Sequence, residues 1–369
     1  MRADNKISWT VVLFILGYHL FLLIALPIYF MHQSPSGSLI GLSVAIIFIC
    51  GIGITAGSHR LFAHSTYKTH PIIESIFLFI TSVATQGSAL RWAYDHRMHH
   101  AFVDTDKDPY SVTRGFMHAH MFWMFRKSNP IDPKVVADLL KNPLLRFQDK
   151  YYVFCMLASN AIVFLTVGWI VNDYIGAFIF AWWARLLISH HTTWCINSLA
   201  HMWGSQNYSI EHTAVDNYLI SLLTYGEGYH NYHHSFAHDY RNGIRWFHFD
   251  PGKWLIWTLY KLGLAKDVKR VSNFRIAKQM VTEHKQKLLT ALKNSFNTEL
   301  EKKVTSLSDL LIDRLNVLQS LYDKYKVIPK KEALIIREQI RETKREWKQN
   351  WKDWKRLIKT IRRTQTTQH

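Results

Sequence analysis

Residues 8–31, SWTVVLFILGYHLFLLIALPIYFM, run for 24 positions without an Asp, Glu, Lys or Arg. A chain with several such runs has few folds open to it. A bilayer core about 30 Å thick is crossed by roughly 20 mostly apolar helical residues. Residues 38–57 and 151–171 meet that requirement, and the run from about Tyr174 to Leu199 also qualifies. In lipid every backbone polar group must be satisfied internally, which favours helices over open strands. The connections 32–37 and 172–173 are short and contain no Lys or Arg, whereas residues 58–150 contain 12. That asymmetry predicts four spans in two tight hairpins, with both termini and all large loops in the cytoplasm. The first run is long enough to span, and no small-residue cleavage site follows it, so no signal peptide is expected. A fifth apolar stretch, 71–90, is interrupted by Glu74. An odd number of crossings would separate the histidine-rich segments described below, so this stretch is expected to be interfacial or re-entrant.

The mean hydropathy of −0.08 conceals a segregation of apolar and charged sequence. The formal net charge is +18, and residues 283–369 carry 21 Lys/Arg against 11 Asp/Glu. Anionic membrane fits this balance better than nucleic acid, for which no recognised fold is present. Val304, Leu307, Leu311, Leu315, Leu318, Tyr322 and Tyr325 recur in steps of three and four. This predicts a helix broken at Pro329, followed by a second one with Trp347, Trp351, Trp354, Ile358 and Ile361 on one stripe. The stripes could pack on each other, or the tryptophans could lie at the headgroups of the cytoplasmic leaflet. Three cysteines, Cys50, Cys155 and Cys195, lie in apolar runs and are expected to pack as inert thiols. FDPGKW, 248 residues into the chain, reads as a plain turn.

Two segments repeat the spacing His-x-x-His-His: DHRMHH (95–100) and, after a Gly-Glu-Gly turn, YHNYHH (229–234). With 21 histidines in 369 residues, roughly 0.07 chance matches are expected, so two are improbable. On a helix, His96, His99 and His100 share one face, as do His230, His233 and His234. HRLFAH places His59 and His64 after the second apolar run, and NSLAH places Asn197 and His201 where the fourth ends. Nine imidazoles suit iron, zinc, copper or nickel, and are too many for one tetrahedral zinc. Two metal ions with four or five ligands each would use the set, and iron is the redox-active candidate.

TAGSHRLFAHSTY, WAYDHRMHHAFVDTDKDPYS, NSLAHMWG and GEGYHNYHHSFAHDYR resemble the histidine boxes of the membrane-bound fatty acyl desaturases, in particular the acyl-CoA Δ9 (stearoyl-CoA-type) branch. The similarity runs from about residue 8 to 272. It implies an all-α integral membrane protein of four transmembrane helices, with a cytoplasmic helical cap holding a histidine-rich di-metal site and, here, a C-terminal helical extension. The expected division is 1–275 and 276–369. The resemblance implies iron ligation by His59, His64, His96, His99, His100, His201, His230, His233 and His234, with Asn197 beside one iron and acting through a water. It also implies a bent acyl tunnel with Gln86, Trp92 and Thr193 at the kink, and coenzyme phosphates near Arg126 and Lys127. Tyr94 stands where animal acyl-CoA desaturases carry an Arg, a departure that bears on whether the acyl carrier is coenzyme A or a membrane lipid.

The implied activity is O2-dependent insertion of a cis double bond, at Δ9, into a palmitoyl or stearoyl chain. No nucleotide-binding fingerprint or fused haem domain is visible in the sequence, so electrons are expected from a separate ferredoxin or cytochrome b5-type partner. A di-iron lipid or alkane hydroxylase is the alternative enzyme, and a membrane metal-binding scaffold the non-enzymatic one. His118, His120, His190, His191, His212, His238 and His248 fall off the box spacing and are not expected to ligate metal. His120 and His238 could support ligands from behind, and Asp95 and Asp106 could orient imidazoles.

Overall fold

The computed structural model describes residues 6–293, 297–329 and 333–366, with side chains to residue 361. It is helical almost throughout, and its contacts divide it into two compact units. One comprises residues 1–206 and 212–270, the other residues 207–211 and 271–369.

In the first unit three helices are long and apolar enough to cross a bilayer: Trp9–His32, Gly37–Ala63 and Tyr152–Val171. Each exposes large apolar side chains, among them Leu13, Leu23, Phe48, Val153 and Trp169. Contiguous apolar surface of this extent suits hydrocarbon and not water. Local signals set the helix ends. Ser36 caps the second helix through Leu39 N–H. Asn172 takes the left-handed conformation after the 152–171 helix (φ 53°), and Asp173 caps the next helix through Gly176 N–H. Tyr29 Oη donates to Asp173 Oδ2 at 2.6 Å, tying the first helix to that turn. The run expected as the fourth span is continuous helix from Tyr174 to Asn197. It is not among the three helices long and apolar enough to cross a bilayer, and it carries Arg185, His190 and His191.

Stretch 71–90 is broken, but not at Glu74, which lies in the first turn of its first helix. Helix Pro71–Ala84 stops at Thr85, whose φ is +57°, and helix Ala89–Phe102 leaves at 82° to it. Ser88 caps the second helix through Arg91 N–H. Behind the bend a core gathers Leu61, Phe62, Phe77, Leu90, Ala93, Leu145 and Ile256. Strand Lys68–Thr69 pairs antiparallel with Ala265–Lys266. FDPGKW is not a plain turn: Asp250 caps the helix Pro251–Lys261 through Lys253 N–H, with Pro251 in the first turn where its missing N–H costs nothing.

The second unit contains helices Asn273–Leu292, Thr298–Val327 and Ala333–Thr366. The break at Pro329 is present, and the two predicted helices pack on one another. The first of the three adds a third apolar face that the sequence had not marked. Val281, Leu288, Leu292, Val304, Leu311, Trp354 and Ile361 form one core, with Trp354 fully buried. Trp347 and Trp351 stack at 5.5 Å and 11°. Of the two alternatives for the tryptophan stripe, packing is the one this fold displays: Trp354 is buried in the core, and Trp347 and Trp351 are partly buried against it.

Candidate metal centre

The nine box histidines come from four elements. After Ile52 the second helix loosens into a π-helix, Gly53–Ala63, whose hydrogen bonds reach one residue further than α-helical ones. His64 N–H accordingly bonds to His59 C=O at 3.0 Å, and the two rings lie 4.9 Å apart, centroid to centroid. A five-residue spacing that would diverge on an α-helix converges here. His96, His99 and His100 lie in the last two turns of Ala89–Phe102. His201 closes the short turn Leu199–His201, and His230, His233 and His234 lie on His230–Ser235.

These rings form two adjacent groups. His59, His64, His96, His100 and His233 make one, and His99, His201, His230 and His234 the other; in each, one ligand atom per ring lies within 4.8 Å of all the others. The Nε2 atoms face inward, with separations of 3.0 Å for His59–His233, 2.8 Å for His64–His96, 2.9 Å for His100–His233, 3.2 Å for His99–His234 and 3.0 Å for His201–His230.

What holds the rings from outside defines their protonation. His59 Nδ1–H donates to Glu227 Oε2 at 3.0 Å, and His99 Nδ1–H to Asp108 Oδ1 at 2.9 Å. Thr213 Oγ1 gives its proton to Asp104 Oδ1 (2.7 Å), so it accepts from His201 Nδ1–H (2.8 Å). In all three rings the outward nitrogen carries the hydrogen, and Nε2 presents a bare lone pair to the centre. Lone pairs gathered this closely repel unless a cation sits between them. The donor chemistry, all nitrogen and in two sets of five and four, fits two ions of the iron type. Burial, reinforced by neighbouring imidazoles, pushes His201, His230, His233 and His234 well below the ordinary histidine pKa, so these rings remain neutral donors.

Glu227 anchors the back of the first group. It also accepts from Arg60 Nη2 at 3.1 Å, from Asn242 Nδ2 at 2.6 Å and from the Thr55 hydroxyl. Arg60, itself 1% exposed, is shared with Asp250 at 2.8 Å. Burial alone would raise the Glu227 carboxyl, but His59 and Arg60 outweigh it and hold the pKa down at about 2. Glu227 is thus a buried anion that fixes one ring and offsets part of a dense cationic charge.

Trp92 joins the site, stacked on His96 at 4.9 Å and 25° and edge-on to His59 at 5.8 Å. Gln86 Nε2 donates to Thr193 Oγ1 at 2.9 Å. Asn197 is the last residue of its helix, half-buried, and hydrogen-bonds to none of the nine rings. Arg126 and Lys127 are exposed and follow the short turn Phe122–Phe125, their backbone paired with Ile7 and Lys6.

The carboxylate expectations are corrected. Asp95 is engaged by Arg91 at 2.7 and 2.8 Å, and Asp106 lies exposed; the imidazoles are oriented by Glu227 and Asp108. Asp108 lies two positions beyond Asp106, in the same DTDKDP segment, and Glu227 is the acid of the Gly-Glu-Gly turn, so both lie inside segments the sequence had already marked. His238 Nδ1 reaches His64 C=O at 3.3 Å, while His120 binds Ser198 and His191 and touches no box ring. His212 lies 5.0 Å from the His234 ring and stands outside both groups.

The family model for the fatty acid desaturases matches residues 35–267. The chain is 37% identical over 249 residues to acyl-CoA desaturase 1 of Saccharomyces cerevisiae, covering 67% of this chain and 49% of that protein. It is 41% identical over 260 residues to a probable acyl-CoA desaturase of Schizosaccharomyces pombe, covering 69% and 54%. It is also 31% identical over 267 residues to the sn-1 stearoyl-lipid 9-desaturase of Anabaena variabilis, covering 72% of this chain and 94% of that one. The chain spans about half the length of the two yeast relatives.

Proposed function

This chain belongs to the fatty acid desaturase family, and from that premise we propose that it converts a saturated acyl chain to its cis-unsaturated product, with the double bond at Δ9 of a C16 or C18 chain. The overall change is R–CH2–CH2–R′ + O2 + 2 e⁻ + 2 H⁺ → R–CH=CH–R′ + 2 H2O. The observation that carries the reading is the pair of inward-facing imidazole groups, backed by Glu227, Asp108 and the Thr213–Asp104 pair.

In this reading His59, His64, His96, His100 and His233 hold one iron and His99, His201, His230 and His234 the other, with Asn197 reaching one of them through a water. Bound iron supplies the activation of O2 that protein side chains do not provide. The chain's own residues hold the ligands in one tautomer, exclude water and place the substrate. Glu227, Asp108 and Thr213 keep the outward protons on Nδ1. Trp92, packed against His96 and His59, walls the site, and Gln86 and Thr193 bend the acyl chain beneath it. A chain held in a near-attack geometry lowers the entropic part of the barrier.

Arg126 and Lys127 are suited to the phosphates of an acyl-CoA. A relative that acts on stearoyl lipid keeps an acyl-lipid substrate within the proposal. Electrons come from a separate ferredoxin or cytochrome b5-type protein. The metal centre and both termini face the cytoplasm, with four membrane spans, and the catalytic domain ends near residue 275, leaving 276–369 as an extension.

Expression in a desaturase-deficient host with fatty-acid profiling tests the reading. A new Δ9 monounsaturate, abolished by His99→Ala or His233→Ala, is expected. A hydroxylated chain in its place would assign the site to oxygen insertion.

A further inference from the structure

The bend at residues 84–89 is buried inside a membrane protein, where unpaired backbone groups are costly. A helix end leaves its last carbonyls without partners, and here side chains from other helices take them. Arg185 Nη1 donates to Val83 C=O at 2.7 Å, and His190 Nε2–H donates to Thr85 C=O at 3.0 Å. Asn160 Nδ2 reaches Thr85 Oγ1 at 3.2 Å. On the far side, Tyr152 Oη accepts from Gly87 N–H and Gln148 Oε1 from Ala89 N–H, both at 2.9 Å.

Arg185 stands out in this set. Its guanidinium is 1% exposed and donates to Val83 C=O, Ala181 C=O and Asn160 Oδ1, with the Cys50 thiol as a further partner and no carboxylate among them. A buried cation held by carbonyl oxygens and a thiol, with no anion beside it, is expensive to keep. The planar fork explains its use: one group spans three acceptors on three helices, which a lysine ammonium does not reproduce. The same helix carries His190 and Thr193. Tyr18 Oη donates to His190 Nδ1 at 3.0 Å, which leaves the proton on Nε2 for Thr85. Thr193 accepts from Gln86 at the apex of the bend. Beyond the bend, Trp92 is stacked on His96. One end of the corner is therefore fixed to the imidazoles and the other to helix Arg185–Asn197.

We propose that Arg185, acting through Val83, Asn160 and Thr85, is a positioning residue that sets the angle of this corner and thereby which carbons of the acyl chain lie beneath the imidazole groups. The proposal rests on the desaturase reading and adds a residue that determines where the double bond falls. Thr85 is part of the same device: a β-branched residue at φ +57° is held there by its neighbours, and glycine would adopt that conformation freely.

The test uses the full-length protein with Arg185→Lys and Thr85→Gly, the latter chosen because it relieves backbone strain while removing the hydroxyl that Asn160 grips. Double-bond position in the products and iron per chain are measured together. In parallel, the purified proteins are compared for binding of cis-9- against cis-11-octadecenoyl-CoA, a readout that needs no turnover. The wild type is expected to prefer one isomer by tenfold or more. Both variants should bind iron within twofold of wild type, lose most of that preference and spread their product over neighbouring positions. Wild-type discrimination and a single product position in Thr85→Gly, with or without recovery of Arg185→Lys, would overturn the proposal. A wild type that discriminates between the isomers yet makes no unsaturated product would sink the desaturase reading and leave the positioning role of Arg185 standing.

Discussion

At the scale of single residues, the site is governed by which atom of each ring carries its proton. Glu227 is the clearest case, because it serves His59, Arg60, Asn242 and Thr55 together. Glu227→Gln keeps the volume and removes the charge. Loss of a carboxylate behind a metal-binding imidazole weakens metal affinity roughly 10- to 100-fold, measurable by chelator competition on the purified protein. Unchanged affinity would reduce Glu227 to a space-filling role. The imidazoles give a second expectation. His201, His230, His233 and His234 have depressed pKa values in the fold. As pH falls below the ordinary histidine value of about 6.5, the unfolded chain takes up protons before the native one, so the metal-free protein loses stability from there downward. Bound metal, which needs neutral rings, should be released only below that pH. Thermal melts and metal retention between pH 8 and 5 check both, and a melting temperature flat across that range would contradict the assignment. These supporting residues were hard to read in the sequence for a physical reason. Spacing reports neighbours along one element, whereas Glu227 meets His59 across 168 positions, a contact made by folding alone.

At the scale of elements, the legible part is what periodicity encodes. The two His-x-x-His-His segments lie on helices as their spacing required, and the apolar runs are helices. His59 and His64 converge for a reason no α-helical template contains, the π-helix at Gly53–Ala63. The 82° corner was not marked where it falls, because Glu74 lies in the first turn of the helix before it, and the third helix of the C-terminal unit was not anticipated, so the packing alternative for the tryptophan stripe lacked its partner. The Gly-Glu-Gly turn shows how an element is placed. A Cβ at Gly228 would lie 2.3 Å from Ser221 N and 2.8 Å from Asn217 O, both backbone, so nothing flexible can yield. Gly228→Ala should displace helix His230–Ser235 and lower bound metal at least tenfold, an overpacking effect. Gly17→Ala, with nothing within 4 Å of the added methyl, should leave metal content and melting temperature unchanged. Equal behaviour of the two variants would mean that the turn does not position the site.

At the scale of the whole molecule, apolar helices carry a polar centre of nine imidazoles. A pair of tight turns, 33–36 and 172–173, is expected on the face opposite the imidazoles. Single cysteines at Gln33 or Asn172, in a background with Cys50, Cys155 and Cys195 replaced, should react with an impermeant maleimide only from the non-cytoplasmic side; one at Lys107 should react only from the cytoplasm. Labelling of all three from one side would break the four-span topology. The central claim is that nine nitrogen donors contributed by four separated segments hold two iron ions. The most direct measurement is metal content and absorption-edge spectroscopy of the purified full-length protein. About two irons per chain are expected, each in a nitrogen-rich shell, falling below one when His99 and His233 are both changed to Ala. Zinc in place of iron, a single metal per chain, or two irons retained in that double variant would contradict it.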